Sequence, residues 1–324
     1  MALTSDSDLL PIEWAQDVIK EMSKSSAVLG LSRRRTMTTR QQRLPATAVL
    51  ADAYWVGSGD NDFTDLKQQT NAEWNGVNLI VEELACLVGI PHAYEQDNSF
   101  PVWEEVRPQI VEAMGKRLDA AALFGVGKPS TWPAAILPSI VAAGQTVERG
   151  TEDDLAADIA ESARVLKQQG FRTTGWAAEP GFHWELVGLR SLDGAPIYQP
   201  NLSGPINQGL YGLPLVEVEN GAWLTTTDAS VIHGDWSKSI VGIRQDITFT
   251  RHDSGVIGDS SGNIVFNAMQ QDATIWRAVF RVAWARANPA TRTGDQPGES
   301  GDNSPSSESS PAKFPWAAVV PAGS

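Results

Sequence analysis

The 324-residue chain has little cysteine, little histidine and a deficit of positive charge. It contains one cysteine, Cys86, and four histidines, and its 25 basic residues are outnumbered by 39 acidic ones. A single cysteine excludes an internal disulfide and is typical of assembly in a reducing cytoplasm. We interpret Cys86 as a small, buried, apolar residue of a strand. The formal net charge of −14 argues against a dedicated nucleic-acid binder, because affinity for phosphates comes mainly from clustered lysine and arginine.

Long apolar runs are also missing. No stretch approaches the roughly 20 apolar residues that cross a membrane. The first residues, MALTSDSDLLP, lack the basic and apolar regions of a signal peptide. We therefore expect a soluble, non-secreted protein with no membrane partner. An apolar content of 42% with 20% charged residues indicates a globular chain, long enough for one or two domains.

Recognisable catalytic and ligand-binding patterns are lacking as well. The sequence has no G-x-S-x-G, H-E-x-x-H, G-x-G-x-x-G or P-loop pattern. Adjacent acids such as Glu82 and Glu83 point in different directions in a strand or helix, which favours solvated faces. We expect no catalytic residue, no cofactor and no metal site. The histidines occur singly, with no companion at metal-ligand spacing: His92, His183, His233 and His252.

Residues 44–80 are predicted to form a hairpin. Its tip is the run GSGDND at residues 57–62, where glycines supply positive φ and Asx side chains bond the nearby backbone. In the return arm Val77, Leu79 and Val81 alternate, and the alternation resumes one residue out of step at Leu84. We interpret this shift as a bulge that bends a long strand and exchanges its apolar face.

A long helix is predicted over residues 102–122, where apolar side chains recur at every fourth position. Ser99 is the candidate N-cap, Pro101 suits the first turn and Gly125 is the candidate C-cap. Pro108 lies inside the helix, and we interpret it as a kink because the apolar stripe continues through it in phase.

Helices and strands alternate beyond residue 129, which indicates an α/β unit. A proline-rich junction is followed by a strand. The run TEDD at residues 151–154 is predicted to open a helix as a capping box, and this helix ends at Gly170. A second helix is expected near residues 180–190. The remaining strands are predicted from period-two alternation at residues 171–178, 213–218, 222–226, 241–250 and 276–284.

Residues 290–313 are almost free of apolar side chains and are predicted to be a polar insertion. The segment FPWAAVV that follows is expected to rejoin a sheet.

Several segments together resemble one family of proteins. They are a turn-tipped hairpin closing on Lys67 and Trp74, then ELACLVGIP, then VWEEVRPQIVEAMGKRLDAAALFGVGKPSTWP. GAPIYQP at residues 194–200, YGLPLV at 211–216 and GDWS at 234–237 follow in order. Their order and spacing, from about residue 11 to 289, resemble the tailed-bacteriophage major capsid protein family with the Hong Kong phage capsid fold.

The resemblance implies an α+β fold with five parts. Residues 1–43 form an N-terminal arm with one short helix, and residues 44–80 form the extended loop, which is the hairpin. Residues 81–128 form a peripheral domain with a long spine helix, and residues 129–253 form an axial α/β domain. Residues 254–324 return to the peripheral domain and carry the polar insertion 290–313.

The implied function is a major capsid protein that self-assembles into pentamers and hexamers of an icosahedral shell around double-stranded DNA. The expected partners are further copies of the chain, portal, scaffolding and protease proteins, a decoration protein, and DNA bound without sequence specificity. No charged coiled-coil segment precedes the arm, so scaffolding, if the shell needs it, is expected to come from a separate protein. The expected location is the virion, after assembly in the host bacterial cytoplasm. Two alternatives remain: an encapsulin-like shell that holds a cargo enzyme, and an unrecognised α/β enzyme.

Some family members join a hairpin lysine to an asparagine of the next subunit, with a buried glutamate as base. Lys67 is at the lysine position, but residues 276–284 contain no glutamate. We therefore predict a non-covalent shell.

Arginines cluster without an acid among them at Arg33, Arg34, Arg35, Arg40 and Arg43. A solvated strip or pairing with an acidic neighbouring subunit is favoured over contact with DNA. Trp55 and Trp74 flank the hairpin, and for them interface and core are equally favoured. The candidate inter-subunit contacts are Arg33, Arg34, Arg35, Trp55, Phe63, Lys67 and Trp74.

Overall fold

The fold was analysed in a computed structural model. It describes residues 26–51, 72–93, 102–152, 154–191, 193–198, 209–223, 229–259, 261–291 and 314–322. The predicted arm helix, the hairpin tip, the Ser99 cap and the insertion at residues 292–313 lie outside these ranges. The described α-helices are Ala27–Leu31 (α1), Val102–Asp119 (α2), Ile136–Ala142 (α3), Leu155–Gln168 (α4) and Phe182–Gly188 (α5).

Fourteen strands occur in the described residues, arranged in two larger sheets and two hairpins. They are Arg33–Thr36 (β1), Gln41–Val49 (β2), Glu73–Ile80 (β3), Glu82–Pro91 (β4), Thr146–Glu148 (β5), Gly175–Ala178 (β6), Gly209–Leu210 (β7), Leu213–Glu217 (β8), Val231–Gly234 (β9), Ser239–His252 (β10), Val256–Gly258 (β11), Ile264–Asn267 (β12), Ala273–Arg286 (β13) and Trp316–Val320 (β14).

The predicted long helix is confirmed as α2, and it contains Pro108. Glutamates in its first turn and basic residues in its last turn complement the helix dipole. A π-helix, Ala120–Phe124, continues it, and Gly125 ends the segment in the left-handed region at φ 81°. Glycine adopts that conformation without steric cost, which explains the predicted C-cap.

A four-stranded sheet has the order β1-β10-β13-β4. β1 runs parallel to β10, and the other two pairs are antiparallel. The predicted strand at residues 276–284 is confirmed as part of β13, in which Phe280 and Trp284 are buried whereas Arg277 and Arg281 are exposed.

A six-stranded sheet has the order β5-β14-β9-β6-β8-β7. Buried side chains of α4 and α5 pack on one face of this sheet, while α3 and the π-helix pack with Ile232 and Ala318 on the other. This layered arrangement confirms an α/β unit. One continuous core links the unit to α2 and to the four-stranded sheet.

Three details differ from the sequence expectations. The helix α3 was missed between the proline-rich junction and β5. Ala222 and Trp223 lie in a turn rather than the predicted strand at residues 222–226, the rest of which lies outside the described residues. The N-cap of α4 is Asp154, whose side chain accepts a hydrogen bond from the Ala157 amide.

The last strand, β14, also differs from the expectation that residues 254–324 return wholly to the peripheral part. FPWAAVV does rejoin a sheet, but it lies between β5 and β9 in the six-stranded one. Gly234 permits this close approach, because a Cβ there would lie 2.3 Å from the Pro315 carbonyl oxygen. Similarly, β10 begins at Ser239 and belongs to the four-stranded sheet. The chain therefore passes from the six-stranded to the four-stranded sheet before residue 253, where the axial domain was predicted to end.

Candidate interaction surface

The hairpin of β2 and β3 is a two-stranded sheet, paired from Gln41 opposite Ile80 to Val49 opposite Glu73. One face carries Leu44, Val77 and Leu79, which pack with buried residues of the four-stranded sheet. The strand then changes sheets at Val81, where β3 ends and β4 begins pairing with β13. The predicted out-of-step alternation therefore marks a change of partner sheet rather than a bulge inside one strand.

Trp74 lies on the other face of this hairpin. Its side chain is 67% exposed. Of the two alternatives, interface and core, Trp74 therefore does not lie in the core of the monomer. Gly76 follows two residues later on the same face, and a Cβ there would overlap the Arg43 guanidinium. The absence of a side chain therefore lets Arg43 lie flat across β3. An exposed indole beside a flat guanidinium is a composition typical of protein interfaces.

Arg33, Arg34 and Arg35 form β1, the edge strand of the four-stranded sheet. They pair in register with Ile240, Val241 and Gly242 of β10. Arg34 donates from Nε to the Leu29 carbonyl oxygen at 3.0 Å, at the end of α1. Trp55, Phe63 and Lys67 lie outside the described residues.

An open cleft of about 350 Å³ lies at the root of the hairpin, and sequence reasoning missed it. Arg281 pairs with Glu83 at 3.0 Å, and Glu82 accepts a hydrogen bond from the Thr131 hydroxyl at 2.8 Å. No local sequence signal could have found the cleft, because its residues come from separate strands. Its lining consists of Arg40, Val81, Glu82, Glu83, Arg244 and Arg281.

Asp119 anchors the beginning of the described chain to the end of α2. Its fully buried carboxylate accepts hydrogen bonds from the Ser26 hydroxyl at 2.7 Å and from the Ala27 and Val28 amides at 3.1 Å. The Asn220 side-chain amide donates a fourth at 2.8 Å. Burial raises the pKa of Asp119 to about 6, although these four hydrogen bonds act to lower it.

The histidines show no shared chemistry. His233 is fully buried, with Nε2 2.7 Å from the Ser162 hydroxyl and Nδ1 2.9 Å from the Thr173 hydroxyl. Burial lowers the pKa of His233 to about 3, so the ring is neutral at physiological pH. His183 lies in α5, where its ring is buried beside that of Tyr198. Within the described ranges no cluster of His, Cys, Asp and Glu could hold a metal ion.

Cys86 lies half-buried in β4 and packs against the main core. Burial raises the pKa of its thiol, which favours the neutral, less reactive form. The predicted place in a strand is confirmed, whereas the predicted burial is only partial. No described helix is both long enough and apolar enough to span a bilayer.

Comparison with known proteins gives consistent results. Residues 7–291 match the model of the phage capsid family. The major capsid protein of Staphylococcus phage 80alpha is 22% identical over 300 residues, which are 89% of this chain and 87% of that protein.

Solved structures with the same fold come from related viruses. One from Microbacterium phage Oxtober96 is 29% identical with a TM-score of 0.77, covering 99% of this chain and 96% of that one. One from Mycobacterium phage Bobi is 29% identical with a TM-score of 0.76, covering 93% and 92%. The fold predicted by resemblance is therefore confirmed.

Proposed function

The chain belongs to the phage capsid family and is a major capsid protein, and from this premise we propose how it builds a shell. As a capsid protein it associates with further copies of itself and is a component of the virion. The role is structural rather than catalytic, since the family is one of shell proteins. The proposed assembly consists of pentamers and hexamers in a closed icosahedral shell around double-stranded DNA.

The observation that best supports this assembly is the hairpin face carrying Trp74. A two-stranded sheet has little core of its own, and this one leaves a large aromatic side chain in solvent. Burial against a neighbouring copy would remove that surface from water. Repeated around a closed ring, such contacts add up, so that no single interface has to be strong.

The inter-subunit contacts proposed are Arg33, Arg34, Arg35, Trp55, Phe63, Lys67 and Trp74. The net charge of −14 supports an inner shell surface that binds DNA only weakly. Portal, scaffolding, protease and decoration proteins complete the proposed set of partners, and the host bacterial cytoplasm is the proposed site of assembly.

Electron microscopy of the purified protein tests the shell. We expect closed particles, and the same protein with residues 57–70 deleted should fail to form them. Discrete small particles from the full chain would contradict the proposal. Shells filled with protein cargo instead of DNA would favour the encapsulin-like alternative.

We further propose that the shell is not cross-linked. The strand β13 contains no glutamate that could serve as the base. Boiling purified shells in detergent should therefore release one species of 34.9 kDa on a denaturing gel. A ladder of heavier bands would show covalent joining of subunits.

A further inference from the structure

Six arginines lie on or next to the edge strand of the four-stranded sheet and the root of the hairpin. We call them the arginine band: Arg33, Arg34, Arg35, Arg40, Arg43 and Arg244. Arg244 connects the two parts, because it lies in β10 beside the end of β1 and donates a hydrogen bond from Nη1 to the Thr38 carbonyl oxygen. Five of the six are exposed and Arg35 is half-buried.

None of the six forms an ion pair with an acid in the described part of the chain. The ion pairs found there involve other cations, namely Arg149, Arg164, Lys238, Arg251 and Arg281. The positive charges of the band repel one another, and Glu82 and Glu83 in the cleft beside Arg40 and Arg244 compensate this repulsion only in part, although the net charge of the whole chain is −14. The arrangement is therefore suited to an external anionic partner.

The cleft at the hairpin root indicates which kind of anionic group the partner presents. Its three arginines and two glutamates give a net charge of +1. Arg281 and Glu83 already pair with each other, and Arg40 and Arg244 line the same cleft as Glu82 but form no ion pair among the described residues. Guanidinium groups bind a planar carboxylate through paired N–H donors. One carboxylate fits this balance, whereas Glu82 and Glu83 would repel a continuous phosphate backbone.

The exposed face of α2 offers suitable carboxylates on the same protein. Glu104, Glu105 and Glu112 are exposed and have no ion pair within the described ranges. Resting on the proposed self-assembly, we propose that the arginine band of one copy binds these α2 carboxylates of a neighbouring copy. The contact would join the rigid spine helix of one subunit to the base of the hairpin of the next.

Charge reversal tests this contact. The variant Arg40→Glu should reduce the fraction of protein in shells about tenfold or more, because a repulsive pair replaces an attractive one at every copy. Folding should be unaffected, since the Arg40 side chain is exposed and has no hydrogen bond to any described residue, and thermal unfolding of the unassembled protein checks this. The milder Arg40→Gln should lower the yield of shells less.

Arg172→Glu is the matched control, because Arg172 is an exposed arginine outside the band. It changes the net charge equally and should leave the yield of shells near that of the unaltered protein. In the Arg40→Glu background, Glu104→Arg, Glu105→Arg and Glu112→Arg are made singly, and at least one should restore assembly.

Unchanged assembly of Arg40→Glu, an equal loss in Arg172→Glu, or absence of rescue by all three reversals would overturn the contact while leaving the shell itself intact. Normal shells of Arg40→Glu that retain less DNA would also overturn it and assign the band to phosphate. Failure of the unaltered protein to form shells would instead contradict the proposed function.

Discussion

Asp119 joins three distant parts of the chain through one carboxylate. It caps the first turn of α1 and holds the Asn220 side chain, while its own backbone ends α2. All four partners donate, which suits an ionised acceptor, whereas complete burial opposes ionisation. The residue is therefore a structural anchor that requires every partner to be present.

We predict that Asp119→Ala lowers the free energy of unfolding by about 3 kcal/mol, because it removes the acceptor of four buried hydrogen bonds. Asp154→Ala provides the comparison, since Asp154 also caps a helix but at an exposed position. That change should cost about 1 kcal/mol. Urea unfolding of the unassembled protein measures both, and equal losses would show that burial adds nothing at Asp119.

His233 makes stability depend on pH in a defined direction. Its folded pKa of about 3 lies below the ordinary histidine value of about 6.5, so the unfolded chain takes up a proton before the folded one. The stability it contributes is present above pH 6.5 and is lost as the pH falls toward 3.

From pH 7 to pH 5 this group alone should remove about 2 kcal/mol of stability, at about 1.4 kcal/mol for each unit below 6.5. The variant His233→Gln keeps a side chain capable of hydrogen bonding and lacks that dependence. Comparing urea unfolding of both proteins at the two pH values isolates the effect from other groups, including Asp119. Parallel losses in both proteins would exclude His233 as the source.

At the scale of elements, the hairpin of β11 and β12 is held against β4 by one close contact. Phe266 lies over Gly89, where a Cβ would come within 2.4 Å of the phenyl ring. This position of β4 requires glycine, because the phenyl ring occupies the space that a side chain would need. The same hairpin exposes Ile264 and Val265, so its position governs where that apolar surface lies.

Gly89→Ala should displace Phe266 and loosen the hairpin, with a loss of about 1 to 3 kcal/mol in unfolding free energy. Hydrogen exchange should rise in residues 256–267 before it rises in β13. Gly258→Ala is the matched control in the same hairpin, since a Cβ there meets the nearest atom at an ordinary 3.5 Å. Unchanged protection of the hairpin in Gly89→Ala would mean that Phe266 does not hold it.

Sequence patterns predicted the elements whose burial is periodic. Apolar residues at every fourth position predicted α2, and alternation of apolar and polar residues predicted β10 and β13. They failed where distant partners decide the structure. β1 consists of three arginines and a threonine, and only its pairing with β10 makes it a strand.

The residues of the candidate interaction surface also divide into those that the sequence reveals and those that depend on distant partners. The exposed Trp74 and the arginine cluster could be selected from composition alone. The Asp119 anchor could not, because its donors in α1 lie more than 90 residues away. Likewise, the contribution of Arg244 to the arginine band depends on tertiary folding, since Thr38 is 206 residues distant.

At the scale of the whole molecule, the hairpin face that carries Trp74 is the surface that we propose a neighbouring copy covers. Trp74→Ala should change the unfolding free energy of the unassembled protein by no more than about 0.5 kcal/mol, because the side chain is largely in solvent. It should nevertheless reduce the yield of shells about tenfold, as aromatic anchors dominate many interfaces. Trp74→Phe keeps an aromatic ring and should retain most assembly. Sedimentation separates shells from free subunits, and an unaffected Trp74→Ala would place Trp74 outside the interface.

The most direct test of the account is a cryo-electron microscopy map of the assembled protein at a resolution that traces side chains. The account predicts an icosahedral shell in which the β2–β3 hairpin of each subunit lies on a neighbouring copy, with Trp74 buried between them. A map in which the hairpin folds back on its own subunit and Trp74 remains in solvent would contradict it.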